Sequence, residues 1–265
     1  MTSLIAWIGK DSRGPASLYL AADSRLSWTD GSVWDRGRKL FAARSQPEML
    51  GYCGEVVFPS QILGQVVAVI DSGAMDRCIT CEDKAEIVCV LVNAALVDYS
   101  PRFRGPFSLL YCTRSGEGMS STFACFEIAA PGGTVLANPP RVKLPDQSGV
   151  FAIHGSGSKV ISNAASRWSE THPAGGRTSR ATFGGFCDAV RSGDDPATGG
   201  SPQLVGLYRK GPAQTYGVVW EGGAFVFGMD VGSCRAPGIE WRNEQFERVD
   251  QRGLLVEGAQ RQPRP

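Results

Sequence analysis

Met1-Thr2-Ser3-Leu4-Ile5-Ala6-Trp7 opens the chain, and its reading governs everything that follows. Ser3 to Ile8 is apolar enough for a strand. A threonine exposed by removal of Met1 carries a hydroxyl and an α-amine on one residue, so it can serve as its own nucleophile and its own base. Met-Thr alone is common and carries no specificity. Two later segments give it weight. Leu18 to Ala22 runs into Asp23-Ser24-Arg25, and Lys39 heads the apolar run Leu40-Phe41-Ala42. Acid and lysine both sit in apolar strand contexts, where a charge needs a partner.

The same alternation continues along the chain. Asp30-Gly31 is a hairpin signal, and Met49 to Tyr52 reads as a further strand. Helical spacing predicts helices over Glu55 to Ile70 and Glu82 to Tyr99. Strands are predicted at Phe107 to Cys112, Thr122 to Ile128 and Gly149 to Ile153. Helices follow at Ser158 to Glu170 and Thr182 to Val190, then strands at Leu204 to Arg209, Thr215 to Trp220 and Ala224 to Phe227. Two helices on each side of stacked antiparallel sheets would give a layered α+β sandwich. Glu257 to Pro265 is polar and without apolar period, and disorder is expected there. The sequence shows no internal repeat.

A chain of 265 residues can bury a sizeable core as one domain. Its 27 basic and 26 acidic residues leave a net charge of +1, which argues against a nucleic-acid or anionic-membrane surface. No apolar run is long enough to span a bilayer. Leu4 to Ile8 is too short for a secretory leader and is followed by Lys10, Asp11 and Arg13, so a cytoplasmic protein is expected. The eight cysteines, Cys53, Cys78, Cys81, Cys89, Cys112, Cys125, Cys187 and Cys234, lie mostly in apolar segments and read as small buried hydrophobes. Cys78-Ile79-Thr80-Cys81 lacks the second pair a zinc site wants, and His154 and His172 are the only histidines. No metal or other cofactor is expected.

Several blocks, in order, resemble the proteasome β-subunit family of N-terminal-nucleophile hydrolases and the simpler bacterial proteasome-related peptidases. Thr2 to Ala6 is similar to the family's opening strand. Leu20 to Arg25 (LAADSR) and Gly37 to Phe41 (GRKLF) resemble its acid-arginine and lysine strands. Met49 to Glu55 (MLGYCGE) resembles the glycine strand before the first helix. His154 to Ser158 (HGSGS) and Asp195 to Gly200 (DPATGG) resemble its GSG turn and D-x-x-S-G-G loop. The resemblance covers Thr2 to Gly228. It implies an α+β, four-layer αββα sandwich over 2–228, with 229–265 as a C-terminal extension. It also implies a threonine endopeptidase acting on polypeptides in a homo-oligomeric ring or stacked assembly, fed by an ATPase or other activator.

The resemblance assigns roles that chemistry makes reasonable. The Thr2 hydroxyl would attack a carbonyl and its α-amine would take the proton. Lys39 would place positive charge beside Thr2, and Asp23 would orient Lys39, unless the two form an ordinary ion pair. The Gly51 N–H would stabilise the oxyanion, although a glycine there also eases packing. Ser156 and Gly157 would flank Thr2 at a helix start, with helix capping as the alternative for Ser156. Asp195 and Thr198 would complete the network, Thr198 standing where the family usually has Ser; Asp195 also suits a plain turn. Arg25 would support the site. Leu26, Met49 and Cys53 would line a pocket with an apolar preference.

Departures are expected to matter as well. The segments around Asp11 to Ser17, Ser100 to Pro106, Thr171 to Arg180 and past Asp230 read as additions. Exposure of Thr2 is expected to rest on methionine aminopeptidase rather than self-cleavage. Two other readings stay open: a non-catalytic structural or regulatory subunit, and a small-molecule amidase on the same fold.

Overall fold

The computed structural model describes residues 3–132, 134–135, 138–171 and 177–261. The first half runs through β1 (Leu4–Asp11), β2 (Gly14–Ala22), β3 (Leu26–Ser27), β4 (Val33–Trp34), β5 (Leu40–Ala42) and β6 (Glu48–Gly54). Helices α1 (Val57–Val69) and α2 (Cys81–Asp98) follow, then β7 (Phe107–Ser115), β8 (Thr122–Ala130) and β9 (Gly149–His154). After α3 (Ser158–Thr171) and α4 (Ser179–Ser192) come β10 (Gln203–Tyr208), β11 (Gln214–Trp220), β12 (Gly223–Val226) and β13 (Met229–Asp230). The last strands are β14 (Glu240–Asn243) and β15 (Arg248–Val249).

Side-chain alternation explains the central strands. In β1, Leu4 and Ala6 face the gap between the two main sheets, while Ile5 and Trp7 face α3 and α4. In β2, Leu18, Leu20 and Ala22 line the gap while Tyr19 and Ala21 point the other way. Both strands are covered on both faces, which is why they read as continuous apolar runs. The larger sheet has nine strands along the path β13-β12-β11-β10-β2-β1-β9, with β14 and β15 branching from β11. The smaller is β5-β6-β7-β8, and β3-β4 is a separate hairpin turning at Asp30-Gly31. Leu63 and Val66 of α1 and Val88 and Val92 of α2 pack on Leu50, Tyr52, Leu109 and Tyr111 of the smaller sheet. Helix α2 begins with a reciprocal cap: Thr80 accepts from the Asp83 N–H and the Asp83 side chain accepts from the Thr80 N–H.

The expected four-layer αββα sandwich needs correction. Among the described residues the chain is a mostly antiparallel β structure, fifteen strands to four α-helices. Helices cover only part of it. Strand β11 still packs under α3 and α4 through Tyr216, Val218 and Trp220, but on its other face Ala224, Trp241 and Val249, with Val219, form their own small cluster under strands and turns rather than under a helix. Strand β14 joins β11 in parallel, Tyr216 opposite Glu240 through Val219 opposite Asn243. The reason is local chemistry. Gly222, Gly228, Gly232 and Gly253 all hold positive φ, and Pro237 interrupts the same region, so no helix can form there and turns close the apolar face. No described helix is long and apolar enough to cross a membrane. The tail from Glu257, for which disorder was expected, falls in part on 262–265, outside the described residues.

Candidate active site

Asp23 follows β2 and Lys39 precedes β5, which brings both to the edge of the gap between sheets. Lys39 Nζ donates to Asp23 Oδ1 at 2.6 Å, and both side chains are 0% exposed. Asp23 Oδ1 also accepts from the Ser3 N–H at 2.9 Å, and Oδ2 accepts from the N–H groups of Gly199 at 3.0 Å and Arg25 at 3.1 Å. Burying an ion pair is costly unless its remaining hydrogen-bonding capacity is met; three backbone donors meet it for the carboxylate. Burial pushes the Lys39 ammonium below the ordinary lysine range, and the Asp23 charge opposes that shift.

A second organising side chain escaped the sequence reading. Gln203, 1% exposed at the start of β10, accepts through Oε1 from the N–H groups of Lys39 at 3.0 Å and Leu40 at 3.3 Å. Its Nε2 donates to Gly37 O at 2.7 Å, Ser24 Oγ at 3.0 Å and Asp23 O at 3.2 Å. One amide thus stitches the lysine strand to the aspartate strand. The available signal was a lone amide heading an apolar strand, Gln203 before Leu204-Val205.

A chain of hydroxyls leads from Ser3 to Asp195. Ser3 Oγ lies 2.6 Å from Thr198 Oγ1, and Thr198 Oγ1 donates to Asp195 Oδ2 at 2.7 Å. Thr198 has one proton and gives it to Asp195, so Ser3 is the donor in the first bond. Ser156 Oγ donates to the same Asp195 oxygen at 2.7 Å, and the Ala197 N–H reaches Oδ1 at 3.2 Å. Burial pushes the Asp195 carboxyl up, but donation from Thr198, Ser156 and Ala197 prevails and holds it below the ordinary value. Gly157 is required by close approach: a Cβ there would stand 2.0 Å from Ser3 Oγ and 2.7 Å from Thr198 Oγ1.

Arg25 fixes the loop that carries Asp195. Its guanidinium pairs with both oxygens of Asp35 at 2.7 and 2.8 Å and reaches Pro196 O at 3.2 Å, lying across Gly199. Gly51 stands on β6 opposite Leu40 and Leu110, where a Cβ would come within 2.8 Å of both Leu4 and Leu40. Of the expected pocket residues, Met49 is wholly buried with Leu4 and Leu40, Cys53 is nearly so, and Leu26 packs half-buried over Gly37. Thr2 lies outside the described residues. Asp23, Lys39, Ser156, Asp195 and Thr198 therefore converge around Ser3, while Met49 sits inside the packed gap. A separate cleft of about 370 Å³ runs along α2, lined by Glu82, Glu86, Cys89 and Val135 among others, and contains none of these residues.

The sequence matches no protein-family model, and no curated protein is significantly similar to it. In three dimensions the chain is similar in fold to a solved structure. A solved structure of the Gly-1 mutant of Anbu from Hyphomicrobium sp. strain MC1 superposes with a TM-score of 0.52 at 17% identity, covering 79% of this chain and 82% of that one. The likeness is one of fold.

Proposed function

We propose that the chain is an N-terminal-nucleophile hydrolase, a threonine endopeptidase whose nucleophile is Thr2 after removal of Met1. The observation that carries this reading is the buried Lys39–Asp23 pair, in which Asp23 also holds the Ser3 N–H next in the chain to Thr2. The Thr2 hydroxyl adds to the carbonyl carbon of the scissile bond and its proton passes to the α-amine, whose pKa of about 7.7–8.0 leaves it substantially neutral near working pH. The proton then goes to the leaving amine as the C–N bond breaks, leaving an ester on Thr2. Water adds to that ester and the acid departs. Lys39 supplies positive charge favouring the alkoxide and the neutral amine, and the Gly51 N–H serves as oxyanion donor. Ser156, Asp195 and Thr198 orient the first residues, with Arg25 and Gly157 in support; Leu26 and Cys53 bound the substrate pocket, while Met49, expected there too, is packed in the gap behind it.

The proposal includes residues 2–228 as the hydrolase unit, 229–265 as an extension, and a homo-oligomer with a possible activator. Exposed Trp28, Val33 and Trp34 on the β3–β4 hairpin support contact between copies; light scattering tests it. The decisive experiment is the intact mass of untagged protein before and after a peptide epoxyketone, which needs both the hydroxyl and the free amine of an N-terminal threonine. Loss of Met1 with one adduct, absent in Thr2→Ala, is the expected result. Retained Met1 without adduct would favour the non-catalytic subunit, and labelling that survives Thr2→Ala would sink the mechanism.

A further inference from the structure

Where the gap between the two sheets opens to solvent, four side chains meet that the catalytic network does not use. Cys53 on β6 stands opposite Ser108 on β7. Ser108 Oγ donates to Glu127 Oε1 on β8 at 2.8 Å. His154, the last residue of β9, stands opposite Leu4 and brings Nδ1 to 3.7 Å from the same Glu127 oxygen. The sheets thus meet at this end through a carboxylate and an imidazole, whereas Leu4, Leu40 and Met49 fill the gap farther in.

These side chains lie near the proposed active site. Burial pushes the Cys53 thiol up to about 11, Glu127 adds to that shift, and Lys39 opposes it, so both charges act on the same sulfur. Lys39 is already paired with Asp23 at 2.6 Å, whereas Glu127 has only Ser108 at hydrogen-bond distance among the described side chains. Glu127 is 34% and His154 22% exposed at the side chain, so an incoming group can reach them. Ser108 takes up only part of a carboxylate's acceptor capacity, and 3.7 Å from His154 is too long for a hydrogen bond. A near-buried thiol beside a half-buried carboxylate suits a side chain with an apolar stem and a cationic head.

Resting on the peptidase reading above, we propose that these side chains form a subsite that selects an arginine or lysine side chain of the substrate through a charge-assisted hydrogen bond to Glu127. The apolar preference expected of this pocket then applies to the stem, which Cys53 is placed to touch, and not to the tip.

Binding of a peptide bearing arginine before the scissile bond is compared with its citrulline counterpart, a near-isosteric neutral analogue. Calorimetry on full-length Thr2→Ala keeps the ligands intact. The arginine peptide should bind roughly ten- to hundredfold more tightly, as one charge-assisted bond warrants. Adding Glu127→Gln, which preserves an acceptor for Ser108, should bring the ratio near one. Glu127→Asp, which keeps the charge one methylene farther back, should retain part of it. Equal binding of the two peptides with Glu127 present, or a ratio that survives Glu127→Gln in a protein of unchanged melting temperature, overturns the assignment. Selective binding without cleavage by the wild-type chain would remove the peptidase reading and leave the subsite. Cleavage without selectivity would do the reverse.

Discussion

Lys39 and Asp23 are joined at 2.6 Å with neither side chain touching solvent. Such a pair contributes little as a pair but is costly to break, because the survivor is left charged and buried. Asp23 has three backbone donors besides Lys39, whereas Lys39 depends far more on Asp23. Asp23→Asn should therefore destabilise the fold by about 3–5 kcal/mol. Lys39→Met should cost less, and either substitution should abolish epoxyketone labelling. Denaturant unfolding alongside intact-mass labelling checks this; a fully labelled Lys39→Met protein would contradict the role given to the ammonium.

Asp195 predicts an acid limb in stability. Its folded-state pKa is depressed, so its contribution is fully present above the unfolded value of about 3.9 and is lost as pH falls through the lower folded value. Asp195→Asn should flatten the stability profile below about pH 4 and leave its slope near neutrality unchanged. Melting curves of both proteins across pH 2–7 would show this; parallel profiles would refute it.

Gly157→Ala inserts a methyl 2.0 Å from Ser3 Oγ. The hydroxyl chain must shift, with an expected cost of about 1–3 kcal/mol and a sharp drop in labelling rate. Wild-type labelling kinetics in this variant would mean that Ser3 and Thr198 can rearrange without consequence.

Gln203→Leu removes a buried amide that serves Lys39, Leu40, Gly37, Ser24 and Asp23. Each stranded backbone group costs about 1–3 kcal/mol, so severe destabilisation is expected. Poor soluble yield or a steep fall in melting temperature is the readout, and a variant melting like the wild type would show that other groups satisfy the backbone.

Arg25→Ala should behave differently. Its bridge to Asp35 is partly exposed at both ends, so global stability should fall by no more than about 1 kcal/mol. The loop over residues 196–200 should nonetheless loosen. Faster amide exchange there, with slower labelling, is expected; unchanged exchange would remove Arg25 as the loop's anchor.

Periodicity made much of the secondary structure legible. Strands β1, β2 and β6 and helices α1 and α2 fall within a few residues of expectation because each is buried along a regular face. Asp30-Gly31 turns a hairpin as its composition suggests. The short strands β13 to β15 were not legible. Each is two to four residues long, too short to show alternation; β13 forms by pairing with β12, and β14 and β15 form because β11 offers an edge to β14. The layered sandwich expected from the element order failed for the same reason: order along the chain does not reveal how far a sheet extends beyond its helices.

By itself the sequence determined which segments alternate and which charges sit in apolar surroundings, since propensity and burial pattern are properties of neighbouring residues. Only the tertiary structure decided that Asp23, Lys39, Ser156, Asp195 and Thr198 gather around Ser3, that Gln203 ties them together, and that Glu127 meets His154 across the gap. Asp23 and Gly199 are distant in sequence yet share a 3.0 Å hydrogen bond, and Glu127 meets His154 across the space between two sheets. Contacts of that kind depend on strand order, sheet stacking and the exclusion of water, which no local pattern encodes.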